Sequence, residues 1–92
     1  MNAEQRESFR IAVLRVLDAN ATAYGLVLGV LGPLMARFGF REVRATQLER
    51  ELIYLQDKGY ALSIDKAISP ENRAWRITAA GRDYLAQFHG RG

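Results

Sequence analysis

The most regular hydrophobic pattern in the chain lies between residues 44 and 60, where leucines recur at i, i+4 and i+7. That spacing places side chains on one face of an α-helix. Thr46 and Glu49 have the spacing of a capping box, and Gly59 stands where a left-handed residue would end a helix. We therefore predict a helix over residues 46–58. Its buried stripe is formed by Leu48, Leu52 and Leu55.

Two helices are predicted before this one. Residues 3–19 show a helical spacing of apolar residues, and Asn20 is expected to end that helix in a left-handed conformation. Residues 23–38 are apolar on nearly every side and form the second predicted helix. Pro33 lacks an amide hydrogen and clashes with the preceding turn, so a kink or a new start is expected beside it. Residues 34–38 would then be a last turn or a short separate helix.

The second predicted helix raises the questions of a membrane and of a partner. No charge occurs from residue 19 to residue 36, which reaches the lower limit for a membrane span. Polar residues, glycines and a proline interrupt this segment, so we predict no membrane span. Leu26 and Val30 lie off its main apolar face. Two explanations are open: the helix is covered on two sides by its own domain, or Leu26 and Val30 form a homodimer interface.

The second half of the chain changes from helical to alternating periodicity. Residues 60–64 and 73–77 alternate and carry β-branched and aromatic residues, so they are predicted to pair as a hairpin around the turn sequence of 65–72. A last helix is predicted from the cap Thr78 onward, with a frayed tail over 89–92. The predicted fold is one α+β domain, mostly α, with three helices, a two-stranded hairpin and a closing helix.

Length and composition restrict the number of domains, the possible metal sites and the ligands that the protein could bind. Ninety-two residues supply one core, so one domain is expected. The absence of cysteine excludes disulfides and thiolate metal sites. The N-terminal residues lack the basic-then-apolar order of a signal peptide, so a cytoplasmic protein is expected. The net charge is +3, and eleven of the thirteen basic residues are arginine, which suits phosphate or carboxylate binding.

Several motifs resemble those of winged helix-turn-helix proteins. Residues 52–61, Leu-Ile-Tyr-Leu-Gln-Asp-Lys-Gly-Tyr-Ala, are similar to the segment that joins the recognition helix to the wing, and residues 75–85, Trp-Arg-Ile-Thr-Ala-Ala-Gly-Arg-Asp-Tyr-Leu, to the segment after the wing. Residues 13–17 and Tyr24-Gly25 resemble features of small ArsR-like winged-helix proteins of Mu-like phages and prophages. The resemblance implies a DNA-binding transcription regulator. Metal-sensing ArsR proteins use cysteine ligands, so metal sensing is not expected here.

In such a domain the helix over 46–58 would be the recognition helix. Residues near the N-terminus of a recognition helix meet base edges in the major groove, and its flanks meet phosphates. Gln47, Arg50 and Tyr54 are outward positions of this helix and are candidates for DNA contact. Gln47 suits an adenine edge and Arg50 a guanine edge.

The remaining candidates for DNA contact lie before and after that helix. Arg41 and Arg44 precede it and are placed to hold phosphate beside its free N–H groups. The wing would add positive charge, and we expect the protein to bind double-stranded DNA as a homodimer. The wing candidates are Lys66, Arg73 and Arg76, and Arg37 is a further candidate.

A second interpretation of the same helix is open. Its acidic residues outnumber its basic residues, and carboxylates beside DNA phosphates repel. Ile53 and Tyr54 lie outside the leucine stripe, and an exposed apolar pair of this kind suits a protein partner. The alternative function is therefore a winged-helix protein-interaction module without DNA binding.

An enzyme is not predicted. The sole histidine, His89, lies in the predicted tail, and no nucleophile, carboxylate pair or phosphate-binding loop has a recognisable spacing. No cofactor and no metal site are predicted. Trp75 and Ile77 alternate onto one face of the hairpin, so Trp75 is expected in the core.

Overall fold

The structure is a computed structural model that describes residues 1–22, 24–64 and 73–89. Within these ranges the fold is α+β and mostly helical, with four α-helices, one short 3-10 helix and a three-stranded antiparallel sheet. The strand order is β1-β3-β2, so β3 is central. In chain order the elements are α1 (Ala3–Ala19), β1 (Leu26–Val27), α2 (Leu28–Leu34), the 3-10 helix (Met35–Phe38), α3 (Ala45–Asp57), β2 (Ala61–Ile64), β3 (Ala74–Ile77) and α4 (Ala79–His89).

Helix α1 has the bounds that its hydrophobic spacing predicts. The side chain of Asn2 accepts the amide hydrogen of Gln5 at 2.8 Å, and the Gln5 side chain accepts that of Asn2 at 3.0 Å, which forms a capping box. The predicted left-handed conformation of Asn20 is wrong, because its φ is −118°. Its side-chain amide instead donates to the carbonyl of Val16 at 2.9 Å, which satisfies one of the free carbonyls at the helix end.

The predicted helix over 23–38 is wrong in its first part, apart from Ala23, which lies outside the described residues. Residues 26 and 27 form β1 and pair with Trp75 and Ala74 of β3, so α2 begins only at Leu28. Gly25 makes this pairing possible. It has a φ of +72°, and a Cβ there would lie 2.7 Å from the carbonyl oxygen of Trp75. Helical periodicity gave no sign of this backbone contact between distant segments.

The residues proposed for a homodimer interface therefore lie on different elements. Leu26 lies in β1, half-buried, and packs against the core. Val30 lies in α2 and is 47% exposed. Tyr24, predicted to face inward, is exposed. The two interface residues do not form one helical stripe, and their use as an interface stays a prediction.

Pro33 lies inside α2, and the expected change of helix type follows directly after it. The α-helix continues to Leu34, and residues 35–38 then form the 3-10 helix. This agrees with the prediction of a last turn or a short separate helix. Gly39 ends the segment at a φ of +90°, in the left-handed region that glycine adopts without strain.

Helix α3 was predicted correctly in its buried stripe and its end, but not in its start. Gly59 has a φ of +82°; its amide donates to Gln56 and the next amide to Leu55, both at 2.9 Å. The predicted capping box of Thr46 and Glu49 is wrong. Thr46 is already helical, and the cap residue is Arg44, whose side chain makes no capping bond.

The hairpin and α4 follow the predicted order. β2 pairs with β3 in the register Ala61 to Ile77, and the predicted turn over 65–72 lies outside the described residues. Thr78 caps α4, because its hydroxyl accepts the amide hydrogen of Gly81 at 3.0 Å. His89 is the last residue of α4 rather than part of a tail, and residues 90–92 are outside the described ranges.

One core joins the helices to the inner face of the sheet. Trp75 and Ile77 are buried from the central strand, as their alternation predicts. The core holds α3 against α1, α2 and the hairpin, so it fixes which side of α3 is free. It consists of Phe9, Ala12, Val13, Leu14, Val16, Leu17, Leu31, Met35, Leu48, Leu52, Leu55, Ala61, Trp75, Ile77 and Leu85.

Candidate functional site

Three arginines proposed for DNA contact are exposed at the start of α3 and along it. Arg41 lies in the connection before the helix, Arg44 is the cap residue, and Arg50 lies in the second turn. None of their side chains makes a hydrogen bond or an ion pair with another described residue. No side chain caps the first N–H groups of α3, so the helix start keeps its positive dipole end available beside Arg44.

The side of α3 that faces α1, here called the covered side, carries Gln47, which is half-buried, and Tyr54, which contacts α1 and is still 38% exposed. The side-chain amide of Gln47 donates to the sulfur of Met1 at 3.1 Å. The guanidinium carbon of Arg10 lies 3.6 Å from the ring centroid of Tyr54. That position is a cation–π contact on one face of the ring. Both predicted DNA-contact residues are thus engaged within the chain.

Glu51 holds this side of α3 to α1. It is 2% exposed and accepts hydrogen bonds from Nε of Arg10 at 2.9 Å and from Nε of Arg6 at 3.3 Å. A buried carboxylate is tolerated only when it is paired and hydrogen-bonded, and both conditions are met here. The sequence interpretation of Glu51 as a surface charge of α3 is therefore wrong.

The free side of α3 is lined by Thr46, Arg50 and Ile53. These residues are spaced i, i+4 and i+7, so they form one ridge along the helix, and they border a shallow depression together with Glu49. Ile53 is 43% exposed, and Arg50 is also exposed. The ridge can present one guanidinium, one hydroxyl and one aliphatic side chain to a ligand.

The burial of Glu51 changes the charge balance of this surface. The exposed or half-exposed charges from Glu49 to Lys58 balance, whereas the count from the sequence alone is net negative. Arg44 at the helix start makes the surface positive. On the side of α3 that faces α1, two basic side chains, those of Arg6 and Arg10, pair with the single carboxylate of Glu51. The repulsion expected between α3 and a polyanion is therefore weaker than the sequence suggests.

The hairpin residues proposed for DNA contact differ in their surroundings. Arg76 is exposed on the outer face of β3, opposite Leu62 in the register of β2. Arg73 precedes β3 and is half-buried, and its Nε is buried without a hydrogen-bond partner. Lys66 lies outside the described residues. Among the wing candidates described, Arg76 is the one with an exposed side chain.

An aromatic cluster adjoins the C-terminal end of α3. The rings of Tyr60 and Tyr84 stack with their centroids 4.6 Å apart, and Phe88 meets Tyr84 edge to face at 5.3 Å. Burial raises the pKa of Tyr84 above its ordinary value, and the negative charge of Glu7 raises it further. The cluster connects α4 with the end of α3 and with α1.

Sequence reasoning missed the group of Arg6, Arg10 and Glu51, although a signal was present. Glu51 falls within the stripe that begins at Leu48, at the positions i, i+3, i+4 and i+7 of a buried helix face. Arg6 and Arg10 are spaced i and i+4 on α1, so they share a face. An acidic residue inside an apolar stripe predicts a basic partner on a neighbouring helix.

Comparisons with other proteins and a search for metal ligands add no further constraint. The chain matches no protein-family model and has no significant match among curated proteins. Residues 1–22, 24–64 and 73–89 contain no group of three or more histidine, cysteine, aspartate or glutamate side chains that could hold a metal ion. In the same ranges, no helix combines the length and apolar character needed to cross a bilayer.

Proposed function

We propose that this chain is a winged helix-turn-helix protein that binds double-stranded DNA in the cytoplasm as a transcription regulator of the phage or prophage type. The observation that carries the proposal is the position of α3. It follows α1 and α2, precedes the β2–β3 hairpin and α4, and presents one side that the other described residues do not cover. That order is the one implied by the winged-helix motifs in the sequence.

The chemistry of the free side of α3 supports a nucleic-acid ligand. Arg44 and Arg50 have no partner in the described chain, and they lie about 9 Å apart along the helix axis at 1.5 Å per residue. Arg44 stands beside uncapped backbone N–H groups, which bind phosphate. In the proposed complex Arg44 and Arg41 contact phosphates, and Arg50 and Thr46 face base edges.

A salt series of duplex binding tests this proposal. Fluorescence anisotropy with a labelled random duplex should detect binding at about 50 mM salt, and the affinity should fall steeply as salt rises. Arg44→Ala and Arg50→Ala should both weaken binding. The matched control is Lys58→Gln, which removes one positive charge from the opposite end of α3. Undetectable binding at low salt, or equal losses in all three variants, would remove the proposal.

The homodimer belongs to the same proposal. Val30 is its support, because it is 47% exposed on α2 while the apolar residues around it pack into the core. Sedimentation velocity at micromolar concentration should give the mass of two chains, and Val30→Lys should reduce it to one. A single-chain mass for the unaltered protein would exclude this interface.

A second candidate function is a protein-interaction module, and Ile53 is the observation that favours it. Ile53 lies at the C-terminal end of the free ridge of α3 with 43% of its surface exposed. Tyr54 contributes less than the sequence suggests, because Arg10 covers one face of its ring. This function predicts that the unaltered protein shows no duplex binding and that Ile53→Asp abolishes a protein complex, whereas DNA recognition predicts duplex binding that Arg50→Ala weakens.

A further inference from the structure

A groove on the far side of α1 is separate from the free side of α3. It has a volume of about 490 Å³ and lies between α1 and the segment that contains the 3-10 helix. The α1 residues share one helix face by their spacing of i, i+3, i+4 and i+7. The lining consists of Ser8, Ile11, Ala12 and Arg15 from α1 and of Arg37, Phe38 and Phe40 from the following segment.

The two arginines of this groove lack counter-ions. Neither Arg15 nor Arg37 makes an ion pair with a described residue. The Nε of Arg15 is buried from solvent and has no hydrogen-bond partner. A buried donor on a charged group is costly to leave unsatisfied, so Arg15 would gain a charge-assisted hydrogen bond if its guanidinium group turned toward an acceptor in the groove.

The same α1 helix provides a contrast that shows what these arginines lack. Arg6 and Arg10 converge on one carboxylate, that of Glu51. No carboxylate is among the residues that line the groove at Arg15. Two guanidinium groups at one cavity, with no acidic residue among the described residues that line it, fit an external anion.

The rest of the lining selects what kind of anion fits. Ile11 and the rings of Phe38 and Phe40 give the groove an apolar wall, and both rings are half-buried against the core. A bare inorganic anion would leave this wall in water. The groove is also within the size range of small-molecule sites, which combine an apolar lining with a few charged groups.

We propose that this groove binds a small amphipathic carboxylate. Its carboxylate group pairs with the guanidinium groups of Arg15 and Arg37, and its aromatic or aliphatic part lies against the two phenylalanines. The proposal does not depend on DNA binding, because Arg44, Arg50 and the other residues of the α3 ridge are not part of the groove.

Titration of the isotope-labelled protein, followed by amide NMR, tests the proposal. Benzoate and hexanoate are the probes, benzyl alcohol and hexanol are their uncharged counterparts, and inorganic phosphate is the anion without an apolar part. The carboxylates should produce saturable shifts at residues of the groove. The alcohols and phosphate should each bind at least about tenfold more weakly, since each lacks one of the two interactions.

Variants of the two arginines locate the site. Arg15→Gln and Arg37→Gln should each weaken benzoate binding by at least about tenfold, as expected for the loss of a charge-assisted hydrogen bond. Arg15→Lys keeps the charge without the planar fork and should fall between. Arg41→Gln is the matched control, because it removes a nearby exposed charge that does not line the groove, and it should leave the affinity unchanged. Circular dichroism verifies that each variant is folded.

Four outcomes would overturn the proposal. The first is the absence of carboxylate shifts in the folded protein. The second is equal affinity for benzoate and benzyl alcohol, which would exclude a role of the arginines. The third is an equal loss in Arg41→Gln, which would indicate general electrostatics. The fourth is a groove that responds to duplex DNA and phosphate but not to carboxylates, since Arg37 is also a candidate for a phosphate contact.

Discussion

The two sides of α3 differ more than their residues suggest. Arg50 and Glu51 are neighbours in the sequence, yet the Arg50 side chain is exposed and has no partner among the described residues, whereas Glu51 is 2% exposed and has two arginine partners. Successive residues of an α-helix are rotated by about 100° around its axis, so the side chains of Arg50 and Glu51 lie on different sides of α3. One side fixes the helix to α1, and the other side is left to meet a ligand.

This difference shows that polar residues of α3 have two uses. Gln47, Glu51 and Tyr54 look like surface residues in the sequence, but each contacts α1 or its N-terminal extension. The predictions below test the division between the two sides, beginning with the largest expected effect.

Arg10→Met should give the largest loss of stability. The change removes the 2.9 Å hydrogen bond to Glu51 and the contact with the Tyr54 ring, and leaves a buried carboxylate with Arg6 as its one partner. Because Arg6 remains, the expected cost is that of one hydrogen bond to a buried charged group together with the lost ring contact, about 3 kcal/mol. Urea denaturation measures the free energy of unfolding.

The control for this prediction lies on the other side of the helix. Arg50→Met removes the same functional group from an exposed position without a partner, so its effect should stay within about 0.5 kcal/mol. Equal losses for Arg10→Met and Arg50→Met would show that the two sides do not differ in the way the structure indicates.

Gly81→Ala should also destabilise the protein, by about 2 kcal/mol. A Cβ at residue 81 would overlap the carbonyl oxygen of Tyr60, the residue that follows the C-terminal cap of α3. Helix propensity alone predicts the opposite, a gain of about 1 kcal/mol for alanine over glycine. Thermal unfolding distinguishes the two signs. A stabilised variant would show that the backbone at Tyr60 can move away from residue 81 without a loss of stability.

The contrast between Gly81 and the leucine stripe shows what the sequence could predict. The buried stripe of α3 and the shared buried face of Trp75 and Ile77 depend on local periodicity, and both were predicted. The close contact of Gly81 with Tyr60 depends on two segments that meet only after folding. Local sequence patterns assign Gly81 only the cost of a glycine inside a helix, although the fold requires a glycine there.

Strand β1 was missed for the same physical reason. Leu26 and Val27 are apolar residues beside an apolar helix, and no local pattern separates them from it. Their assignment is decided by backbone pairing with β3, at the contact made possible by Gly25. Of the candidate residues, Arg50 is exposed as helical geometry predicts, and Arg41 and Arg44 are exposed before the helix and at its cap. The partners of Gln47 and Tyr54 do not follow from local geometry.

DNA binding should depend on the free side of α3 and not on the covered side. Under the proposed function, Arg50→Ala should weaken duplex binding by about 1 kcal/mol, roughly fivefold. Gln47→Ala should have little effect, because its side chain is directed to Met1. Anisotropy titrations at one fixed salt concentration compare the two variants. A larger loss for Gln47→Ala would mean that the side assigned to α1 contact also meets DNA.

The smallest effect is a change in the pKa of Tyr84, which responds to the charge of Arg10 on the covered side of α3. Burial and then Glu7 raise the pKa of Tyr84, while the positive charge of Arg10 lowers it. The folded pKa lies above the unfolded value of about 10, so the stability that the neutral phenol contributes is fully present below that pH. This contribution to stability is lost as the pH rises from about 10 through the pKa of Tyr84 in the folded protein.

Ultraviolet titration of the unaltered protein, minus that of Tyr84→Phe, isolates the ionisation of Tyr84. Its midpoint should lie above the ordinary value, and Arg10→Met should raise it further, because the opposing positive charge is gone. Arg50→Met should leave the midpoint unchanged, since Arg50 lies on the free side of α3. A midpoint that responds equally to both substitutions would mean that the charge of Arg10 acts on Tyr84 only through bulk electrostatics, and that the two sides of α3 are not electrostatically distinct.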